Sequence, residues 1–196
     1  MSARDAAVAK AVEIVARVED GVVVVRHEPR QLRDVRVDFV VEAPAGSAAR
    51  LESGGGAITA RGRRADVEAR TGGGAITVDD VQGAVRARSG GGAIEVTRAD
   101  GQVNAQTGGG RVVVAGKLRG DTLLQSGGGG VTARVPSTSR LRVEATTGGG
   151  AAHSDFPLDN NRAPGRGGLR GTIGDGSDGT LSMRTGGGAI TLERAD

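Results

Sequence analysis

The sequence predicts an all-β chain, a single-domain parallel β-solenoid (β-helix) of about 18–19 residues per coil with an N-terminal β cap, and three observations carry that prediction. The first is a glycine triplet that recurs. Its first residue falls at Gly54, Gly72, Gly90, Gly108, Gly127, Gly148 and Gly186, in steps of 18, 18, 18, 19, 21 and 38 residues, the last being two periods. The second is the residue before each triplet, always a hydroxyl: Ser53, Thr71, Ser89, Thr107, Ser126, Thr147 and Thr185. The third is a set of apolar columns in register with the triplets. Ile58, Ile76, Ile94, Val112, Val131 and Ile190 share one place, and Ala60, Val78, Val96, Val114, Ala133 and Leu192 lie two residues on. Before the triplets stand Val67, Val85, Val103, Thr122, Val143 and Leu181, then Ala69, Ala87, Ala105, Leu124, Ala145 and Met183. Columns two apart point to one side of a strand, so these side chains face inward. Glu68, Arg70, Arg86, Arg88, Asn104, Gln106, Glu144 and Arg184 between them face solvent. A helical repeat would need a 3.6-residue pattern, and none is present.

Taken in order, the chain divides into an N-terminal β-strand and cap segment, residues 1–46, and a repeat domain, residues 47–196. Alanines before residue 11 favour a helix, but Val12, Ile14, Ala16 and Val18 alternate as a strand does. Asp20-Gly21 then reads as a hairpin turn into a strand over Val22–Val25, and His27–Arg33 as a loop. Val35, Val37, Phe39 and Val41 alternate into a further strand that stops at Pro44-Ala45-Gly46. This part lacks the glycine period and is the natural cap for an otherwise unpaired strand edge. Coils follow from Ala49, with parallel strands about 4.8 Å apart. In the last third, Ala151–Leu158 begins a coil, residues 159–168 form a polar loop excursion, Leu169–Ile173 returns as a strand, and Thr180–Leu192 completes the final unit. The charged residues Glu193–Asp196 are then expected to guard the end of the array.

Glycine costs roughly 0.5–1 kcal/mol relative to alanine in regular structure, so three in every coil imply backbone angles or a close approach that a Cβ would forbid. The hydroxyl column beside them is expected to form a stacked ladder, each hydroxyl bonding its neighbour or the exposed backbone.

Composition narrows the function. Aromatic content is 1%, Phe39 and Phe156 alone, so the interior must be narrow. The 36 glycines are periodic and separated by Val/Ile-rich segments, unlike a disordered linker. A net charge of +3 with charges of both signs spread along the chain, and no aromatic platforms, argues against a nucleic-acid partner. The absence of cysteine rules out a disulfide framework and thiol chemistry. No apolar run reaches membrane-spanning length and the first residues lack a signal h-region, so the chain as it stands is expected to be soluble.

The C-terminal residues carry a resemblance. Ser154-Asp155-Phe156-Pro157-Leu158, the later Leu169-Arg170-Gly171-Thr172-Ile173-Gly174 and the closing run Leu181–Leu192 with its Thr185-Gly186-Gly187-Gly188 corner resemble the adhesin-type β-strand-repeat family of bacterial envelopes, a domain family of unknown function. The resemblance covers about Val35 to Leu192. Members commonly carry Thr-Val-Asn-Gly-Asp-Ile where this chain has Thr71-Gly72-Gly73-Gly74-Ala75-Ile76, so the polar corner groups are missing here. What the resemblance implies is a right-handed β-solenoid, exported or tethered at the cell envelope or outside the cell, with no established catalytic residues.

Individual motifs add little chemistry. A calcium β-roll needs an Asp after each glycine turn, where Thr59, Thr77 and Thr191 stand, and Asp79-Asp80 reads as a solvated corner. His27 and His153 lack ligand-spaced partners for zinc, and no cofactor is expected. Polysaccharide-cleaving β-helices need gathered carboxylates, but Glu68, Asp79, Asp100 and Glu144 fall on different columns. A flat threonine face that could bind an ordered surface is broken by Glu95, Arg111 and Val113. The remaining candidate is a basic patch of Arg61, Arg63, Arg64, Arg70, Arg86 and Arg88, with Arg98 nearby, suited to a cell-surface glycan, an anionic lipid or a protein. The sequence therefore reads as a non-catalytic structural or adhesin-like surface module. The alternatives are a scaffold that self-associates end to end through its terminal coils and, third, a polysaccharide-acting enzyme.

Overall fold

A computed structural model describes residues 13–19, 22–28, 40–158 and 167–195. The chain divides into two units, Met1–Glu42 and Ala43–Asp196. In the first, β1 (Glu13–Glu19) and β2 (Val22–Glu28) pair antiparallel, Glu13 opposite Glu28 and Glu19 opposite Val22. The second strand runs three residues past the expected Val25, so His27 lies in a strand and not in a loop. The Asp20-Gly21 turn and most of the strand expected over Val35–Val41 lie outside the described residues. Val40 and Val41 are in no strand and are exposed.

The second unit is all-β as predicted. Its strands are β3 (Ala49–Ser53), β4 (Ile58–Arg63), β5 (Val67–Thr71), β6 (Ile76–Gln82), β7 (Val85–Ser89), β8 (Ile94–Gly101), β9 (Val103–Thr107), β10 (Val112–Leu118), β11 (Thr122–Ser126), β12 (Val131–Pro136), β13 (Leu141–Thr147), β14 (Ala152–Ser154), β15 (Gly167–Thr172), β16 (Gly179–Thr185) and β17 (Ile190–Ala195). They form two sheets. One has eight strands in the order β15-β13-β16-β11-β9-β7-β5-β3, the other seven in the order β14-β17-β12-β10-β8-β6-β4. Every pairing in these sheets is parallel except that of β13 with β15. Among the described residues no helix is long and apolar enough to cross a membrane.

The two sheets share one core. All four predicted columns are buried, among them Ile76, Val78, Ile94, Val96 and Val103, and they belong to a single apolar cluster. A fifth inward column was not expected. Val81 and Ala99, paired on β6 and β8, are buried three places after Val78 and Val96, where a period of two would turn them outward. The cause is a bend at Gly62 (φ 62°), Asp80 (φ 55°) and Arg98 (φ 50°), which are 18 residues apart in turn. One residue in the left-handed region shifts the alternation, so Val81 points inward three places after Val78. In the first coil Arg63 pairs with Val81 and is itself buried. Its guanidinium donates to the carbonyls of Ala43 and Ser47, which draws the segment before β3 over that end of the core.

The hydroxyl ladder bonds to backbone. Thr71 Oγ1 donates to the Gly56 carbonyl at 2.9 Å and accepts from the Gly74 amide at 3.2 Å, joining the third glycine of its own corner to that of the coil before. Ser89 repeats this with Gly74 and Gly92, Thr107 with Gly92 and Gly110, and Ser126 with Gly110 and Gly129. These hydroxyls are buried, and each satisfies two backbone groups of part-buried corners. Thr107→Val keeps the volume but removes both bonds. It is expected to cost about 1–3 kcal/mol in chemical unfolding, with Thr107→Ser close to the parent.

The relay also fixes the order of the coils, which is not the order of the sequence. Thr185 donates to Gly129 and Thr147 donates to Gly188, each at 2.8 Å. The final coil, β16 with β17, is therefore inserted between the coil of β11 and β12 and that of β13 and β14. The expectation that Glu193–Asp196 mark the end of the array is not met: β17 lies between β12 and β14, with Ile190–Leu192 paired on both sides and Glu193–Ala195 paired with β12, while Asp196 lies outside the described residues. The eight-stranded sheet ends instead in β15, which starts at Gly167 within the expected loop and runs antiparallel on β13. Phe156, Leu169 and Ile173 are buried there.

Candidate functional site

Alternation places every second residue on an outer face, and the stacking aligns these residues into rows across the coils. On the eight-stranded sheet, the row next to the glycine corners runs Glu52, Arg70, Arg88, Gln106, Gln125, Arg184 and Thr146. The adjacent row runs Arg50, Glu68, Arg86, Asn104, Leu123, Ser182, Glu144 and Arg170. Arg142 pairs with Thr180 one row further out. Seven arginines (50, 70, 86, 88, 142, 170, 184) thus share this face with three glutamates (52, 68, 144). The seven-stranded sheet is mixed, with Arg61, Arg98, Lys117, Arg134 and Arg194 on its strands beside Asp79, Asp80, Glu95, Asp100 and Glu193.

The six arginines singled out in the sequence are divided between these faces. Arg70, Arg86 and Arg88 lie on β5 and β7 of the eight-stranded sheet, with Arg86 and Arg88 exposed. Arg61 is exposed on β4 of the other sheet, in a row with Asp79, and Arg64 is exposed just after that strand. Arg63 is turned inward to backbone carbonyls and offers no surface charge. Arg184, which the sequence leaves 96 residues from Arg88, joins the row of Arg70 and Arg88 through the inserted coil. The triplet register already puts it in that row, and the spatial order of the coils adds that its neighbours are Gln125 and Thr146.

The four carboxylates weighed for acid–base work are each engaged by an arginine. Glu68 pairs with Arg70, Asp79 with Arg98, Asp100 with Arg119 at 2.7 Å, and Glu144 with Arg170 at 3.3 Å. Asp79 also accepts from the Thr97 hydroxyl at 2.6 Å, and this bond, followed by the charge of Arg98, holds its carboxyl below the usual aspartate range. Ser177 does the same for Asp175 through its hydroxyl and amide. These contacts pin turns and coil edges. His153 lies 3.5 Å from Asp155, and among the described residues no three His, Cys, Asp or Glu side chains gather as a metal site.

An open groove runs beside the corner row, lined by Glu52, Arg70 and Arg88 on one flank and by the Ser53, Thr71 and Ser89 corners with Gly54, Gly72 and Gly90 on the other. Arg88 and Arg184 form no ion pair among the described residues, so their guanidinium groups are available to a ligand. Compared with known protein families, characterised proteins and solved structures, the chain matches none.

Proposed function

We propose that the chain is a non-catalytic parallel β-solenoid that serves as a structural, adhesin-like surface module of a bacterial cell envelope. The right-handed sense and the envelope setting follow from the resemblance of its C-terminal residues to the adhesin-type repeat family. The observation that carries the non-catalytic reading is the state of its outward carboxylates. Glu68, Asp79, Asp100 and Glu144 sit on different strands, each held by an arginine, where acid–base hydrolysis needs two acids facing one bond.

End-to-end polymerisation is the second reading, and it has one observation in its favour. β3 and β4 each pair on one side only among the described residues. Growth by parallel stacking, however, needs a matching strand pair at the other end, and there the sheets finish in the three-residue β14 and in β15, which runs antiparallel on β13. Association through β3 and β4 of two copies alone closes at a dimer. Light scattering over a wide concentration range, with electron microscopy of the same samples, tests this reading. A mass that stays at monomer or dimer is expected and would remove this reading, while filaments that lengthen with concentration would establish it in place of the surface module.

A further inference from the structure

We infer that the corner row of the eight-stranded sheet, Arg70, Arg88, Gln106, Gln125 and Arg184, is a binding track for a linear acidic polysaccharide whose charges are carboxylates. This deepens the proposal of a surface module and rests on it. The row spans five successive coils with side chains that can donate to an acidic sugar and no carboxylate of its own between Glu52 at one end and Thr146 at the other. Arg70 and Gln106 are also engaged along their own strands by Glu68 and Asn104. Its members follow one another at the parallel-strand spacing of about 4.8 Å. That repeat is close to the advance of one pyranose unit along an extended polysaccharide.

The chemistry of the row selects the partner. A guanidinium meets a carboxylate through two parallel N–H donors, and a glutamine amide both donates to and accepts from a ring hydroxyl. Arg88, Gln125 and Arg184 are exposed, and the open groove beside Arg70 and Arg88 leaves room for a chain lying along the corners. A bilayer fits less well, since it meets a plane and uses apolar anchors. Among the described residues the exposed large apolar side chains are Val40 and Val41, neither on this sheet. A single-stranded nucleic acid would need stacking platforms, and this face has no aromatic residue.

The test is titration of the full chain with oligogalacturonate by calorimetry at low salt, with neutral dextran, phosphatidylglycerol-containing vesicles and an oligonucleotide as parallel arms. Binding to the uronate that weakens with added salt is expected. Arg88→Gln and Arg184→Gln are each expected to weaken it about three- to tenfold, the scale of one exposed charge-assisted contact, with Arg61→Gln on the opposite sheet without effect. Circular dichroism confirms that each variant is folded. No uronate binding, equal loss with Arg61→Gln, or tighter binding to vesicles or oligonucleotide would overturn the inference. Reducing ends are assayed in the same samples. Their release would sink the non-catalytic proposal while leaving the track in place, so the two failures are told apart.

Discussion

Alanine at Gly92 is expected to destabilise the array by about 3 kcal/mol, whereas alanine at Gly91, one residue earlier, is expected to leave it unchanged or more stable by up to about 1 kcal/mol. The two glycines belong to one corner and look alike in sequence. A Cβ on Gly92 would stand 2.0 Å from the Gly74 carbonyl oxygen and 2.4 Å from its carbon, both backbone atoms of the neighbouring coil. A Cβ on Gly91 meets nothing within 4 Å, and its φ lies outside the left-handed region, so alanine there only restricts the unfolded chain. The clash at Gly92 cannot be relieved by a rotamer change. The Gly74 carbonyl is held by the Ser89 hydroxyl at 2.9 Å, and moving it breaks the relay. The same spacing recurs at Gly110 against Gly92 and at Gly129 against Gly110, so the effect is a property of the third corner position. Urea unfolding of the two single variants decides the matter. Equal destabilisation would show that the corners tolerate or reject a side chain for some reason other than coil-to-coil approach.

This contrast marks what could be read from the sequence and what could not. The inward columns were legible because burial leaves a chemical trace: only apolar residues, or Thr122, occupy them. The need for glycine was legible as a cost repeated in each coil, but its assignment to the first and third residues was not, since nothing in a triplet distinguishes its middle member. The bend residues Asp80 and Arg98 were hidden for a related reason. They stand where Gly62 stands, in a conformation that asparagine or glycine would have announced, and the third inward place filled by Val81 and Ala99 went unread with them. Arg63 shows the limit for charges. A sequence counts it as surface charge, while two backbone carbonyls make it an interior tie. The rung order was the largest loss. Each corner offers the next the same hydroxyl and the same carbonyl, so the period states that coils stack without stating which coil follows which, and Arg184 could not be placed between Gln125 and Thr146.

That order gives a second result of large expected size, because the chain has no cysteine and introduced pairs report without background. In Gln125→Cys/Arg184→Cys the two thiols sit on directly paired residues of β11 and β16. Adjacent strands lie about 4.8 Å apart, inside the range of Cα separations a disulfide accepts. The pair is expected to oxidise within the monomer. Closing a loop of that length raises stability by up to about 4 kcal/mol through the unfolded state, less any strain at the bridge. In Gln125→Cys/Thr146→Cys the residues are 21 apart, and stacking in chain order would make them neighbours. Here β16 stands between them, since Arg184 pairs with Gln125 on one side and with Thr146 on the other. Two strand spacings are about 9.6 Å, too far for a bridge without backbone movement. Non-reducing mass analysis after mild oxidation, with thermal melts of the oxidised and reduced forms, separates the cases. A bridge between residues 125 and 146 in the folded monomer, with none between 125 and 184, would return the final coil to the end of the array. It would also put Thr146 between Gln125 and Arg184, and the binding track would be interrupted after Gln125.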